Sequence, residues 1–202
     1  MPPVKSFTLR VMTPRRYSNS SAPFPAVVNI KEAIAIVNRM HVDGIIGRYA
    51  IGGAVGATFH LEPVTTLDLD IFVGFRIEPG QLILNLRPIY EYLTARGCVI
   101  EREYIVIAGW PVQFLPAGTP LVEEALDEAV EHDLDGTPVR VFTAEHLCAI
   151  ALEVGRAKDK ARLLQFCEAG AFEVARFESI IARHGLTDRW RLFERQFLRD
   201  QP

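Results

Sequence analysis

The 202-residue chain has no apolar run approaching the roughly 18 residues a membrane span requires, so no membrane partner is expected. Cysteine is scarce. Cys98, Cys148 and Cys167 are odd in number and widely spaced, and none forms a CxxC pair. That argues against a disulfide framework and a zinc site, and for reduced thiols in a cytoplasmic protein. No G-x-x-x-x-G-K-[ST] stretch is present, so a P-loop is not supported. Gly52-Gly53-Ala54-Val55-Gly56 falls short of the dinucleotide fingerprint. None of the histidines (His41, His60, His132, His146 and His184) has a partner at metal-ligand spacing, and Ser18, Ser20 and Ser21 have no nucleophile-base setting. The first 26 residues, broken by Pro, Arg and Ser, lack a signal peptide's apolar core and read as a poorly ordered tail.

Charge of one sign is also lacking overall, at a formal net of -3, which argues against a strongly nucleic-acid-binding domain. The balance is uneven, however. Residues 1–155 carry 12 Lys and Arg against 18 Asp and Glu, and residues 156–202 carry 10 against 7.

What is present is a mixture of two periods. "NIKEAIAIVNRMHVDG" is helical through Ile30, Ile34, Val37 and His41, with Asn29 and Glu32 spaced as a capping box. "IIGRYAIGG" reads as a strand entering a glycine turn, and "AVGATFHLE" as a short helix. "TLDLDIFVGF" alternates with a period of two. "GQLILNLRPIYEYLTARG" is helical, with Pro88 expected to kink it. "CVIEREYIVIAG" and "WPVQFLPA" are two strand candidates forming one hairpin. A helix over about 120–131 and a last strand in "TPVRVFTA" follow, then helices from Thr143 onward, the first stopped by Gly155. Trp190, Phe193 and Phe197 recur at helical spacing and are expected to pack the last helix onto the domain, with an oligomer interface as the other reading. The class is α+β: a mixed β-sheet core over residues 27–142, after a tail over 1–26, with a helical C-terminal part over 143–202.

Asp68 and Asp70 are the puzzle in this pattern, two charges on a strand whose other residues are apolar. Carboxylates at i and i+2 of a strand project from one face, with backbones roughly 6.5–7 Å apart, and can converge on one divalent cation. Mg²⁺ prefers oxygen donors and is commonly held by one or two carboxylates plus substrate phosphates. The pair Gly52-Gly53, where a strand enters a helix, lets backbone approach an anionic ligand closely. Taken singly, a glycine pair marks a turn and Asp-x-Asp a solvated edge; it is the order and strand context together that suggest a site.

"IGGAVGATFHLEPVTTLDLDIFV" resembles the signature of the polymerase-beta-like nucleotidyltransferase superfamily, closest to its minimal and abortive-infection toxin-type members. Thr66, two residues before the first aspartate, fits the resemblance. "PVRVFTAEHLCAIALEVGRAKDKARL" is similar to the later segment of those proteins, which carries a Gly-Arg-x-Lys-Asp stretch matched by Lys158 and Asp159. The likeness spans roughly residues 45–165. It implies a nucleoside triphosphate as substrate and Mg²⁺ or Mn²⁺ on Asp68 and Asp70. Gly52 and Gly53 would hold phosphates, assisted by Thr66 and Lys158. The acceptor would be a hydroxyl, on RNA or protein, and a protein partner of toxin–antitoxin type or a homodimer is implied as well.

The match fails at one place. Active members carry a third carboxylate in a later hydrophobic-Asp-hydrophobic setting, and here Gln113 stands between Val112 and Phe114. Glutamine offers a neutral oxygen but cannot act as a carboxylate base, a loss that typically costs about 10²–10⁴ in rate. Val64 also replaces a basic residue. Glu101 and Glu103 on the preceding strand are the candidates to supply the missing charge. Two expectations therefore stand: a metal-dependent nucleotidyltransferase, and a non-catalytic protein that keeps the fold and acts through a partner.

Overall fold

The computed structural model describes residues 29–62, 68–74 and 86–198. Its elements are α1 (Ile30–Val42), β1 (Tyr49–Ile51), α2 (Gly53–Ala57), β2 (Leu69–Val73), α3 (Arg87–Thr94), β3 (Val99–Glu101), β4 (Tyr104–Ile107), β5 (Trp110–Pro116), α4 (Pro120–Asp127), β6 (Val130–Leu134), β7 (Thr137–Val141), α5 (Ala144–Val154), α6 (Ala157–Ala169), α7 (Val174–Arg183) and α8 (Thr187–Phe197). The strands form one mixed sheet in the order β3-β4-β5-β2-β1-β7-β6. β2 runs parallel to β5, and β1 parallel to β7; the remaining neighbours are antiparallel. The class is α+β, as the two periods in the sequence imply.

The alternation in β2 sorts the molecule into two layers. Leu69, Ile71 and Val73 are buried on the face covered by α1 and α3, through Ile34, Val37, Ile89 and Leu93. Phe72 points to the opposite face and packs into a second core with Phe142, which follows β7, and with Leu163, Phe166 and Phe177 of the later helices. No helix among the described residues is long and apolar enough to cross a membrane. All three cysteines are free thiols.

Several local expectations change. Asn29 caps α1 by accepting from Glu32 N–H at 3.2 Å, but its own N–H goes to Ala108 C=O, so the reciprocal half of the capping box is absent. Met40 rather than His41 completes the buried stripe, and His41 is exposed with Nδ1 2.8 Å from Gly47 C=O. Pro88 kinks nothing. It sits in the first turn of α3, where its missing N–H is not needed, and residues 75–85 lie outside the described residues.

"CVIEREYIVIAG" is two strands rather than one, so the expected hairpin is there as β4–β5 and β3 extends it into a three-stranded meander. The helix expected to 131 ends at Asp127, and β6 follows. The β6–β7 turn is Asp135-Gly136, with φ of 47° and 86°, the two-residue turn whose twist suits an antiparallel hairpin.

The C-terminal helices match their expected stops. Thr143 caps α5 by accepting from His146 N–H, and Gly155 ends it in the left-handed region at φ 68°. Trp190 is buried against Phe177 (4.9 Å between ring centroids) and stacks on Phe193 (5.6 Å), which fastens α8 to α7.

Candidate functional site

Four strands bring one row of residues together. β1 and β2 pair with Ile51 opposite Ile71, and Gly52 N–H continues the ladder by donating to Asp70 C=O at 3.1 Å. Asp70 lies opposite Gln113 in the parallel β2–β5 register. The β4–β5 register, which sets Ile105 opposite Val112, brings Tyr104 opposite Gln113. The row Gly52–Asp70–Gln113–Tyr104 therefore crosses the sheet at one level, and Asp68 joins it from the residue before β2. Tyr104 Oη donates to Asp68 Oδ2 at 3.4 Å.

The two glycines shape the space around Asp70. A Cβ on Gly53 would lie 1.9 Å from Asp70 Oδ2, and one on Gly52 would lie 2.5 Å from the Phe72 ring. Gly53 also has φ +57°, a region that side-chain-bearing residues rarely adopt. Backbone at the start of α2 thus meets the aspartate carboxylate at a distance no other residue type allows.

Asp70 is half-buried, and its carboxyl is pushed above the usual value, first by burial and then by the charge of Asp68. Lys158, Arg162 and Arg156 oppose that shift, which places the first turns of α6 within electrostatic reach of the pair. The Tyr104 phenol is pushed up by burial and by Asp68.

Of the residues singled out in the sequence, Gly52, Gly53, Asp68, Asp70 and Gln113 adjoin one another, and Lys158 faces them from α6. Thr66 lies outside the described residues, as does Val64. Glu101 pairs with Tyr104 and so continues the row at its outer edge, three strands from Asp70, where it is exposed; Glu103 is exposed in the turn after β3. Asp159 is buried as the cap of its own helix, accepting from Arg156 N–H at 3.2 Å and from the Arg156 guanidinium at 2.7 Å. Sequence reasoning missed Tyr104 and Arg162. Arg162 had a local signal, since it stands one helical turn after Lys158. Tyr104 had none, because its contact depends on strand register.

A second group of ionisable residues lies apart from this row. Ligand atoms of Glu124, Glu128 and His146 fall within 4.8 Å of one another, a spacing a cation could use. Here the counter-charges are already built in. Glu124 accepts from the Arg183 guanidinium and lies 2.7 Å from His184 Nε2 and 3.2 Å from His146 Nε2. Glu128 accepts from Arg176 at 2.7 Å. These bonds hold the Glu124 carboxyl down at about 2, Arg183 foremost, and stitch α4 to α5 and α7.

No protein-family model matches the sequence, and no curated protein matches it significantly. Comparison with solved structures does find similar folds. The crystal structure of ANT(2″)-Ia in complex with adenylyl-2″-tobramycin superimposes with a TM-score of 0.50 at 14% identity, covering 78% of this chain and 98% of that one. The solution structure of the antibiotic-resistance factor ANT(2″)-Ia gives 0.48 at 14%, covering 81% and 96%. An antigenic nucleotidyltransferase-like protein from Paracoccidioides brasiliensis gives 0.46 at 12%, covering 79% and 91%. By its likeness to the first of these structures, this chain has the nucleotidyltransferase fold.

Proposed function

We propose that the protein binds a nucleoside triphosphate with Mg²⁺ or Mn²⁺ and transfers its nucleotidyl group to a hydroxyl acceptor, releasing pyrophosphate. The observation that carries this reading is the cross-strand row, in which Asp70 stands between a glycine turn and Gln113 with Asp68 beside it. The donor set fits the cation: two carboxylates and one amide oxygen, all hard ligands, around a space kept open by the lack of a side chain at Gly53. Asp68 and Asp70 would hold it, and when bound it would neutralise the phosphate charge that those aspartates otherwise repel.

The remaining work falls to the chain's own groups. Gly52 and Gly53 admit phosphate close to the backbone, Thr66 is proposed as a further phosphate contact, and Lys158 reaches in from α6. Gln113 positions without taking a proton. Residues 27–142 would form the catalytic core and 143–202 the layer that closes over it. RNA, a protein or an aminoglycoside-like polyol is the class of acceptor to try.

Gln113 favours a second reading, in which the fold and pocket are kept for binding and the protein acts through a partner, as in a toxin–antitoxin pair or a homodimer. Two measurements separate the readings. Calorimetric titration of each nucleoside triphosphate with Mg²⁺ is expected to show binding that Asp68→Asn/Asp70→Asn loses, and no binding to any of the four would sink the enzyme and leave a fold that acts through a partner. Transfer of label from an α-³²P nucleoside triphosphate to an acceptor then supports the enzyme. Binding without transfer to any acceptor class supports the alternative.

A further inference from the structure

A cavity of about 290 Å³ opens among the last turn of α5, the middle of α6 and the outer part of α8. Its floor is apolar: Leu152, Leu163 and Phe193 are 7%, 0% and 3% exposed. Its lip is apolar too, through Val154 and Leu192, each 47% exposed. A single exposed leucine needs no explanation, but here two exposed apolar side chains rim a concave apolar surface.

Among the described residues that line the cavity, Lys160 and Arg189 carry charge and none is acidic. Lys160 has Arg156, Ala157, Leu163 and Leu164 at the helical positions beside it, so α6 offers it no counter-charge. Among the described residues its ammonium has no hydrogen bond or ion pair. Arg189 donates to the Glu153 C=O in the last turn of α5, which covers the negative end of that helix dipole and leaves other guanidinium donors uncommitted. An anion entering the cavity would therefore meet two cations and no carboxylate.

This site is separate from the cross-strand row. Lys160 stands two residues from both Lys158 and Arg162, about 200° round the helix from the charges that act on Asp70. Size and charge together select the occupant. The volume lies near the lower end of the roughly 300–1,000 Å³ of small-molecule sites. A partner's amphipathic helix would need a groove that takes several turns, whereas α5 and α6 each contribute a single turn to this one. An apolar floor with two convergent cations suits a short apolar chain or ring that ends in one anionic group.

We propose that the cavity among α5, α6 and α8 binds a small amphipathic carboxylate. Its apolar body rests on Leu152, Leu163 and Phe193, and its carboxylate meets Lys160 and Arg189. This does not depend on the nucleotide reading above.

The test is calorimetric titration of the full chain with octanoate below its micelle concentration, beside octanol, octylamine and acetate. Octanoate is expected to bind. Octanol lacks the charge and binds at least roughly tenfold more weakly, the scale of one charge-assisted hydrogen bond. Octylamine and acetate, lacking the right charge and the apolar body, do not bind. Lys160→Gln weakens octanoate roughly tenfold, and Leu192→Glu abolishes binding by setting a carboxylate at the lip beside the two cations. Val174→Glu, at a valine 57% exposed on α7 and outside the cavity, leaves binding unchanged.

Four results overturn the proposal: no octanoate binding, octanol or octylamine binding as tightly as octanoate, stably folded Lys160→Gln and Leu192→Glu variants that bind as wild type does, or equal loss in Val174→Glu. A dimer in sedimentation velocity that Leu192→Glu dissolves would overturn it as well, since a second copy would then cover this face.

Discussion

Two groups of carboxylates in this molecule have opposite fates. Glu124 is surrounded at bonding distance by Arg183, His184 and His146, and its carboxyl is held down at about 2. Asp70 is half-buried with Asp68 beside it, only the more distant charges of Lys158, Arg162 and Arg156 oppose it, and its carboxyl is pushed up. The first arrangement is complete and joins three helices. In the second, burial and the neighbouring charge of Asp68 together raise the Asp70 carboxyl. A short distance between acidic residues does not tell them apart; what does is whether the counter-charge is already bonded.

The sharpest way to break that comparison is to neutralise both sites. Asp68→Asn/Asp70→Asn is expected to reduce Mg²⁺-dependent nucleotide binding by more than roughly a hundredfold, beyond what outer-shell changes cost, while the protein stays folded by circular dichroism. Glu124→Ala does the opposite. It leaves two histidines and an arginine facing a gap, and is expected to cost about 2 kcal/mol in urea unfolding with nucleotide binding retained.

Gly53→Ala comes next, at about 1–3 kcal/mol, because it adds a methyl 1.9 Å from Asp70 Oδ2 at a φ of +57°. Chemical denaturation of this variant with and without Asp70→Ala separates the clash from the backbone strain. If the second substitution restores nothing, the carboxylate is not what the methyl meets.

The two groups also have opposite acid limbs. Glu124 has a folded pKa of about 2 against an ordinary 4.5, so its contribution is fully present above 4.5 and is lost as pH falls from there toward 2. Asp70 has a folded pKa above its ordinary 3.8, so it disfavours the fold once ionised, and that cost disappears as pH falls through the raised value. Thermal melts across pH 2–7 are expected to show a flatter acid limb for Glu124→Gln, and for Asp70→Asn a stability gain at neutral pH that vanishes in acid. Tyr104→Phe should have the smallest effect. It removes one 3.4 Å hydrogen bond to Asp68, and a change in Mg²⁺ affinity of less than about tenfold is expected from titration.

Much of this site could be read along the chain because its signals are local. The period of two in β2, the glycine pair before α2 and the Thr143 and Gly155 stops of α5 each depend on residues a few positions apart. What escaped was local structure with weak markers. β3 is three residues long with every residue exposed, and its turn to β4 passes through Arg102 at φ 59° instead of a glycine. The next turn uses Ala108 at φ 48° ahead of Gly109. In β6 the exposed Val130 and the charged residues after it hide the alternation, although Asp135-Gly136 marked the turn. The placement of Gln113 and Tyr104 beside the aspartates is non-local, and no window on the sequence contains it.

The close approach of Gly53 to Asp70 imposes an order on change at this site. While Asp70 is present, any side chain at 53 meets its carboxylate, so the glycine is locked by the acid. Once the acid is replaced by a small residue, only the backbone constraint at 53 remains. A lineage abandoning catalysis would therefore lose residue 70 before residue 53, whereas Gln113, which makes no such contact with the turn, can change at any time. In this chain Gly53 and Asp70 are both in place, and glutamine stands at 113.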